Sequence, residues 1–321
     1  MRVARERAFS DHHGVARDLA DEDLRNRAGC NVAIDDAFTC NCKSFSGAER
    51  RGRGSIPRVP LLVRVLLWIV GGYVAVCLLA FLLQRKLQYF PDRAAVPVPQ
   101  GARWRGLEAV TLEATDGTRL EAFFWPGARD TVVLLLHGNA GHRGHRLAWM
   151  ADLHARGWSV FLLDYRGYGG SAGSPTEEGL VLDAEASAAW LAAKGREHVV
   201  YLGSSIGGGV ATRLAARRPP TGLILQSAAA SLAPVAQSAY PFLPIGLLMK
   251  DRFDVRADAA RVTCPALLIH GDLDEIVPLE HGRTLREALG GPTTWWVVEG
   301  AGHNDLVDRA GPAWLDRVHA F

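Results

Sequence analysis

A chain of 321 residues, 48% of them apolar, can bury one large core and still carry an appendage. With 36 basic against 34 acidic side chains it is close to neutral and has no basic face, so no nucleic acid is expected as a partner. The cysteines, Cys30, Cys40, Cys42, Cys77 and Cys264, fall into no Cys/His grouping at zinc-ligand spacing, which excludes a zinc module and a disulfide framework for the core.

Residues 1–58 are rich in Arg, Asp, Ala and Gly, lack apolar periodicity and end near the basic Arg50, Arg51 and Arg53. They cannot support a core, and read either as a disordered tail or as the product of a start codon placed too far upstream. Charge is then absent from Val65 to Leu83, VLLWIVGGYVAVCLLAFLL. As a helix this run is about 28 Å long, close to the hydrocarbon thickness of a bilayer. A cleaved signal peptide has a shorter apolar region and a small-residue cleavage site, whereas Gln84-Arg85-Lys86 follows here. A core helix apolar on all sides would need protein around it. A transmembrane anchor over 61–84 is therefore expected, making the protein single-pass. Arg50, Arg51, Arg53, Arg58 and Arg64 before the span outnumber Arg85, Lys86 and Arg93 after it, which leans the following domain to the extracytoplasmic side.

From about residue 100 to 321 short apolar runs alternate with helical patterns. A leading antiparallel hairpin is expected from Ala109–Ala114 and Arg119–Trp125 around the turn signal Thr115-Asp116-Gly117. Buried strands are expected at Val132–Leu136, Ser159–Leu163, Val199–Leu202, Gly222–Leu225, Ala266–Ile269 and Trp295–Val298. The intervening helices read as His145–Arg156, Thr176–Lys194, Gly208–Arg217, Leu279–Leu289 and Pro312–Phe321. Such alternation gives an α/β fold with a mostly parallel, doubly wound sheet. Cys264 reads as a buried, inert thiol.

Between the Val199 strand and the next helix lies Gly203-Ser204-Ser205-Ile206-Gly207, which fits the G-x-S-x-G elbow. Its central residue, Ser205, occupies the strained turn and projects its hydroxyl from the sheet edge; Ser204 is the variable position. Gly203 and Gly207 sit where a side chain would strike neighbouring backbone. A serine hydroxyl needs a histidine to take its proton and a carboxylate to orient that histidine, in the chain order Ser, acid, His. The loop His270-Gly271-Asp272-Leu273-Asp274-Glu275 follows one strand and Glu299-Gly300-Ala301-Gly302-His303 the next. Asp274 lies far enough into its loop to turn back towards His303; Asp272 and Glu275 read as ordinary loop carboxylates. For the oxyanion, the main-chain NH of Ile206 is one donor and that of Asn139, in His137-Gly138-Asn139-Ala140-Gly141, is the other. His142, His145, His154, His270 and His281 have no serine partner and read as structural.

The blocks LLLHGNAGHRGHR (134–146), LLDYRGYGGSAGSPTEEGLVLDAEA (162–186), GSSIGGG (203–209), IHGDLDEIVPLEHGR (269–283) and EGAGHNDL (299–306) together resemble the α/β-hydrolase superfamily, and within it the single-pass, membrane-anchored α/β-hydrolase-domain proteins. The resemblance implies a serine hydrolase of acyl esters, lipid esters or thioesters, with a triad on Ser205, Asp274 and His303, and gives Arg166 and Tyr168 a supporting role beside the active-site loops. No motif implies a metal or organic cofactor. A serine aminopeptidase on the same fold and a catalytically silent membrane scaffold are the alternatives. The apolar stretch Tyr240–Met249 is expected either to form a small lid or acyl groove, or to pack as a helix on the sheet.

Overall fold

The computed structural model describes residues 60–321, so the tail at 1–58 lies outside the described residues. Helix α1, Leu61–Gln88, runs past the uncharged stretch because its last turn finds protein partners. Gln84 Nε2 donates to Leu248 O (3.1 Å), Arg85 Nε to the Asp251 carboxylate (2.9 Å) and Gln88 Nε2 to Asp251 O (2.9 Å). Upstream, its apolar side chains are almost bare: the protein buries none of them fully, and Trp68 is 83% exposed. This is the one described helix long and apolar enough to cross a membrane.

A short strand β1, Phe90–Pro91, leaves α1. The expected hairpin is present as β2, Glu108–Glu113, and β3, Arg119–Trp125, antiparallel with Glu113 opposite Arg119. The turn between them uses Gly117 at φ +82°. The expected strands follow as β4 Val132–Leu136, β6 Ser159–Asp164, β7 Val199–Ser204, β8 Gly222–Gln226, β9 Ala266–Gly271 and β10 Thr293–Val298; β5 is the two-residue Ala140–Gly141 paired with β1. The eight-stranded sheet has the order β10-β9-β8-β7-β4-β6-β3-β2, parallel except where β3 meets β2 and β6. All residues of β4, β6, β8 and β9 are buried, as continuous apolar runs in a sheet covered on both faces require.

The helices are α2 Leu147–Ala155, α3 Glu177–Ala193, α4 Ile206–Arg217, α5 Leu232–Ala239, α6 Ile245–Leu248, α7 Arg256–Ala259, α8 Leu279–Ala288, α9 Leu306–Ala310 and α10 Pro312–Ala320. Alternate residues of each strand point to opposite faces. Leu134, Phe161, Tyr201 and Leu225 therefore pack with Leu180 of α3 and Val210 of α4. Leu135, Leu162, Leu202 and Ile224 meet Leu153 of α2 and Trp314 of α10 on the other face. Two helix starts shift by two residues: α4 begins at Ile206 rather than Gly208, and α2 at Leu147 rather than His145. Arg143–Arg146 instead form a 3-10 turn capped by two histidines: His142 Nδ1 accepts from Gly144 N (3.0 Å) and His145 Nδ1 from His142 N (3.2 Å). Cys264 is half-buried rather than buried, and that burial raises its thiol pKa.

The stretch Tyr240–Met249 does not pack on the sheet. It forms a cap, with α5 and α6, beside α1: Tyr73 Oη donates to Phe242 O (2.9 Å), and α5 buries none of its residues fully.

Candidate active site

Strand β7 ends at Ser204 and α4 starts at Ile206, which leaves Ser205 alone in the bend at φ 54°, ψ −122°. That is left-handed, strained backbone for a residue with a Cβ. It is held by the Ser205 amide, which donates to Gln226 O of β8 (2.8 Å). Both flanking glycines are demanded by close approach. A Cβ on Gly203 would stand 2.4 Å from Gly207 O, and one on Gly207 would stand 2.1 Å from Leu136 O, so the bend cannot be made with larger residues.

Because β8, β9 and β10 run parallel, the loops that follow them leave the edge at which Ser205 projects. There the structure brings the three expected side chains together. His303 Nε2 lies 3.0 Å from Ser205 Oγ, and His303 Nδ1 lies 2.8 Å from Asp274 Oδ2 and 3.0 Å from its Oδ1. A carboxylate facing Nδ1 fixes the tautomer: Nδ1 carries the proton and Nε2 presents its lone pair to the hydroxyl. Asp274 is 4% exposed and also accepts from Val277 N (2.7 Å) and Ile276 N (3.1 Å). Burial pushes its carboxyl up, but the hydrogen bond and charge of His303, with the Val277 amide, outweigh that and hold it below the ordinary carboxylate range. Asp272 serves the loops rather than the histidine, since its Oδ1 accepts from Gly300 N (2.7 Å) and so ties one loop to the other. Glu275 is exposed.

The Asn139 loop is tied to the exit of α1. Asn139 Nδ2 donates to Gln88 O (2.9 Å), and Asn139 O accepts from Phe90 N (3.0 Å) and Tyr168 Oη (2.8 Å). The Asn139 side chain is thereby occupied. Ile206 is the first residue of α4, where an amide has no intrahelical acceptor. A Cβ on Gly138 would stand 3.4 Å from Ser205 Cβ, so this loop lies directly against the elbow.

Residues 127–252 match the family described as serine aminopeptidase, S33. The human α/β hydrolase domain-containing protein 17B is 36% identical over 228 residues, covering 67% of this chain and 75% of that one. The zebrafish (Danio rerio) lysophosphatidylserine lipase ABHD12 is 30% identical over 276 residues, covering 70% and 72%. In fold, the Pyrococcus furiosus esterase Pf2001 superposes with a TM-score of 0.62 at 19% identity, over 73% of this chain and 96% of that one. The chain belongs to the α/β-hydrolase superfamily. As a member of it, the hydrolase keeps its mostly parallel sheet with an antiparallel start and carries one apolar helix ahead of the fold.

Several residues behind the site escaped the motif reading. His137 is fully buried, its Nδ1–H donating to Gly138 O (2.7 Å), and burial pushes its pKa down to about 3, so it is neutral. Asp164 and Arg143 form a buried ion pair beneath it, and Arg143 also donates to Gly169 O (2.8 Å) and Val96 O (3.0 Å). His270, read as structural, donates from Nε2 to Val277 O (2.8 Å) and stands 3.5 Å from Asp274, walling in the acid. All four lie inside the blocks that carry the resemblance, and their contacts depend on partners distant in the chain. Arg166 supports from further away, bridging Asp183 and Asp116.

Asp92, His142 and His145 cluster closely enough to hold a metal ion. Both Nδ1 lone pairs, however, accept amide bonds in the histidine cap, so each Nε2 carries a proton. A metal-bound imidazole has the opposite arrangement, donating from its second nitrogen.

Proposed function

We propose that this hydrolase is a membrane-anchored serine hydrolase that cleaves acyl esters, with lipid esters or thioesters as the substrate class, through an acyl-enzyme. The observation that carries the reading is the continuous chain Ser205 Oγ, His303 Nε2, His303 Nδ1, Asp274 at 3.0 and 2.8 Å, ending in a buried, amide-bound carboxylate. Ser205 Oγ attacks the acyl carbon as its proton passes to His303 Nε2; Asp274 holds the ring and stabilises the imidazolium that forms. The protonated His303 then returns the proton to the leaving alkoxide. Water, deprotonated by the same nitrogen, attacks the acyl-enzyme and releases the acid. The amides of Ile206 and Asn139 receive the developing oxyanion, each contributing about 3 kcal/mol to the transition state.

Helix α1 acts as the single-pass anchor, and the surplus of arginines before it favours an extracytoplasmic catalytic domain. The lipid substrate class is supported by the apolar cap beside α1 and by the lysophosphatidylserine lipase among the relatives. A serine aminopeptidase is the second reading, favoured by the description of the matching family. The two are separated by turnover of p-nitrophenyl esters of rising acyl length against aminoacyl p-nitroanilides. Ester cleavage with an optimum at medium or long chains supports the proposal; cleavage confined to the anilides replaces it with the peptidase.

A further inference from the structure

We infer that the cap, from α5 to α6, is a second membrane element, immersed in the hydrocarbon of the bilayer that α1 crosses. The inference rests on the reading of α1 as a span. From Leu223 to Met249 the chain has no charged side chain, and the part beyond the sheet displays apolar groups outward: Tyr240 is 53%, Phe242 64% and Leu247 83% exposed. Such a patch on an aqueous surface is a liability, whereas lipid would cover it.

The polar groups of the cap are arranged as hydrocarbon demands. A turn at membrane depth is tolerated only if its backbone finds partners inside the protein. Backbone bonds within the cap supply several, among them Leu243 N to Tyr240 O (3.1 Å) and Met249 N to Ile245 O (2.9 Å), and one side chain adds to them. Gln237 Nε2 donates to Leu243 O (3.0 Å) and shares its other hydrogen between Tyr240 O (3.3 Å) and Pro241 O (3.4 Å), and Gln237 Oε1 accepts from Ile245 N (3.3 Å). Phe242 O, which faces α1, accepts from Tyr73 Oη (2.9 Å). Ser238 Oγ donates within its own helix to Pro234 O (3.1 Å).

The cap is also in register with the helix. Phe242 meets α1 at Tyr73, inside the uncharged run, and Leu248 meets it at Gln84, next to the first charge after that run. These two helix positions are about 17 Å apart along the axis. The first charges after the uncharged stretch follow at once: the Lys250 amide donates to Gln84 Oε1 (2.7 Å), Asp251 pairs with Arg85, and Arg252 reaches back to Gly246 O (2.6 Å) and Met249 O (2.9 Å). The apolar-to-polar boundary of the cap thus coincides with that of the helix, 166 residues away in sequence. The cap follows β8 in the chain, and the carbonyl of Gln226 at the end of that strand holds the Ser205 amide.

The test uses the full chain in phosphatidylcholine vesicles, with its native cysteines changed to alanine and single Phe242→Cys, Leu247→Cys, Val70→Cys or Glu287→Cys variants labelled with an environment-sensitive fluorophore. Val70 lies mid-helix in α1, and Glu287 is exposed on α8. Nitroxides on the lipid acyl chains are expected to quench the labels at 242 and 247 to the extent of the one at 70, with aqueous iodide quenching only the label at 287. Quenching at 242 and 247 by iodide, with the label at 70 still quenched from lipid, overturns the inference while leaving the span intact. Quenching of the label at 70 by iodide overturns the span and the inference together.

Discussion

The loops after β9 and β10 and the cap after β8 leave the same sheet edge and are built by opposite rules. In the first pair every functional side chain is tied down. Asp274 accepts two amides and an imidazole while 4% exposed, and Asp272 pins one loop to the other through Gly300. In the cap, Leu247 is 83% exposed and α5 contributes nothing wholly to the core. The difference separates two roles. The acid–base chain must hold its geometry to a fraction of an ångström before substrate arrives, so the fold supplies its whole environment. The cap meets its surroundings instead, and it is tied to α1 through Tyr73 and Gln84.

That contrast can be broken or sharpened by substitution. The largest effect short of the nucleophile is expected at the buried acid: Asp274→Asn should lower kcat/KM on p-nitrophenyl butyrate about 10⁴-fold by disfavouring the productive His303 tautomer. Asp272→Asn should cost less than about tenfold, because that carboxylate orients no ring. Equal losses would mean that the loops work as a unit and that Asp274 is not the orienting group. Next comes the oxyanion loop. Asn139→Pro deletes the main-chain NH and should cost about 10² to 10³ in kcat, against less than about tenfold for Asn139→Ala, which loses the Gln88 brace alone. If Ala were as damaging as Pro, with both variants folded by circular dichroism, the side chain would be the donor and the assignment would fall.

The smallest effect concerns the support beneath the site. His137 stays neutral in the folded chain, with its pKa pushed down to about 3, whereas an exposed histidine in the unfolded chain titrates near 6.5. The unfolded chain therefore binds a proton that the native chain refuses. Stability is unaffected above pH 6.5 and is lost progressively as pH falls from there towards 3. Urea midpoints should decline across that window, and His137→Gln should flatten the decline whatever it does to absolute stability. An unchanged slope in the variant would place the acid sensitivity elsewhere.

Much of this was legible in the sequence, for identifiable reasons. The strands are apolar runs bounded by turns because the sheet is covered on both faces, and the elbow shows itself through glycines whose absent side chains the bend requires. Asp274 was separable from Asp272 by its depth in the loop. What was not legible depends on partners distant in the chain. The last turn of α1 runs to Gln88 because Asp251 and Leu248 receive it, and no pattern near residue 88 encodes that. The late start of α2 depends on a histidine cap that motif reading treats as two ordinary side chains. The same holds for the cap, whose sequence fits a core helix as readily as an exposed one. Only its place beside Tyr73 separates the two.

The central claim is that Ser205, activated by His303, is the nucleophile, and covalent labelling tests it most directly. The full chain in vesicles would be treated with a fluorophosphonate probe alongside Ser205→Ala and Ser204→Ala. Labelling of the native chain and of Ser204→Ala, with none of Ser205→Ala, is the predicted result. Labelling that persists in Ser205→Ala, or a folded native chain that takes no label, would contradict it.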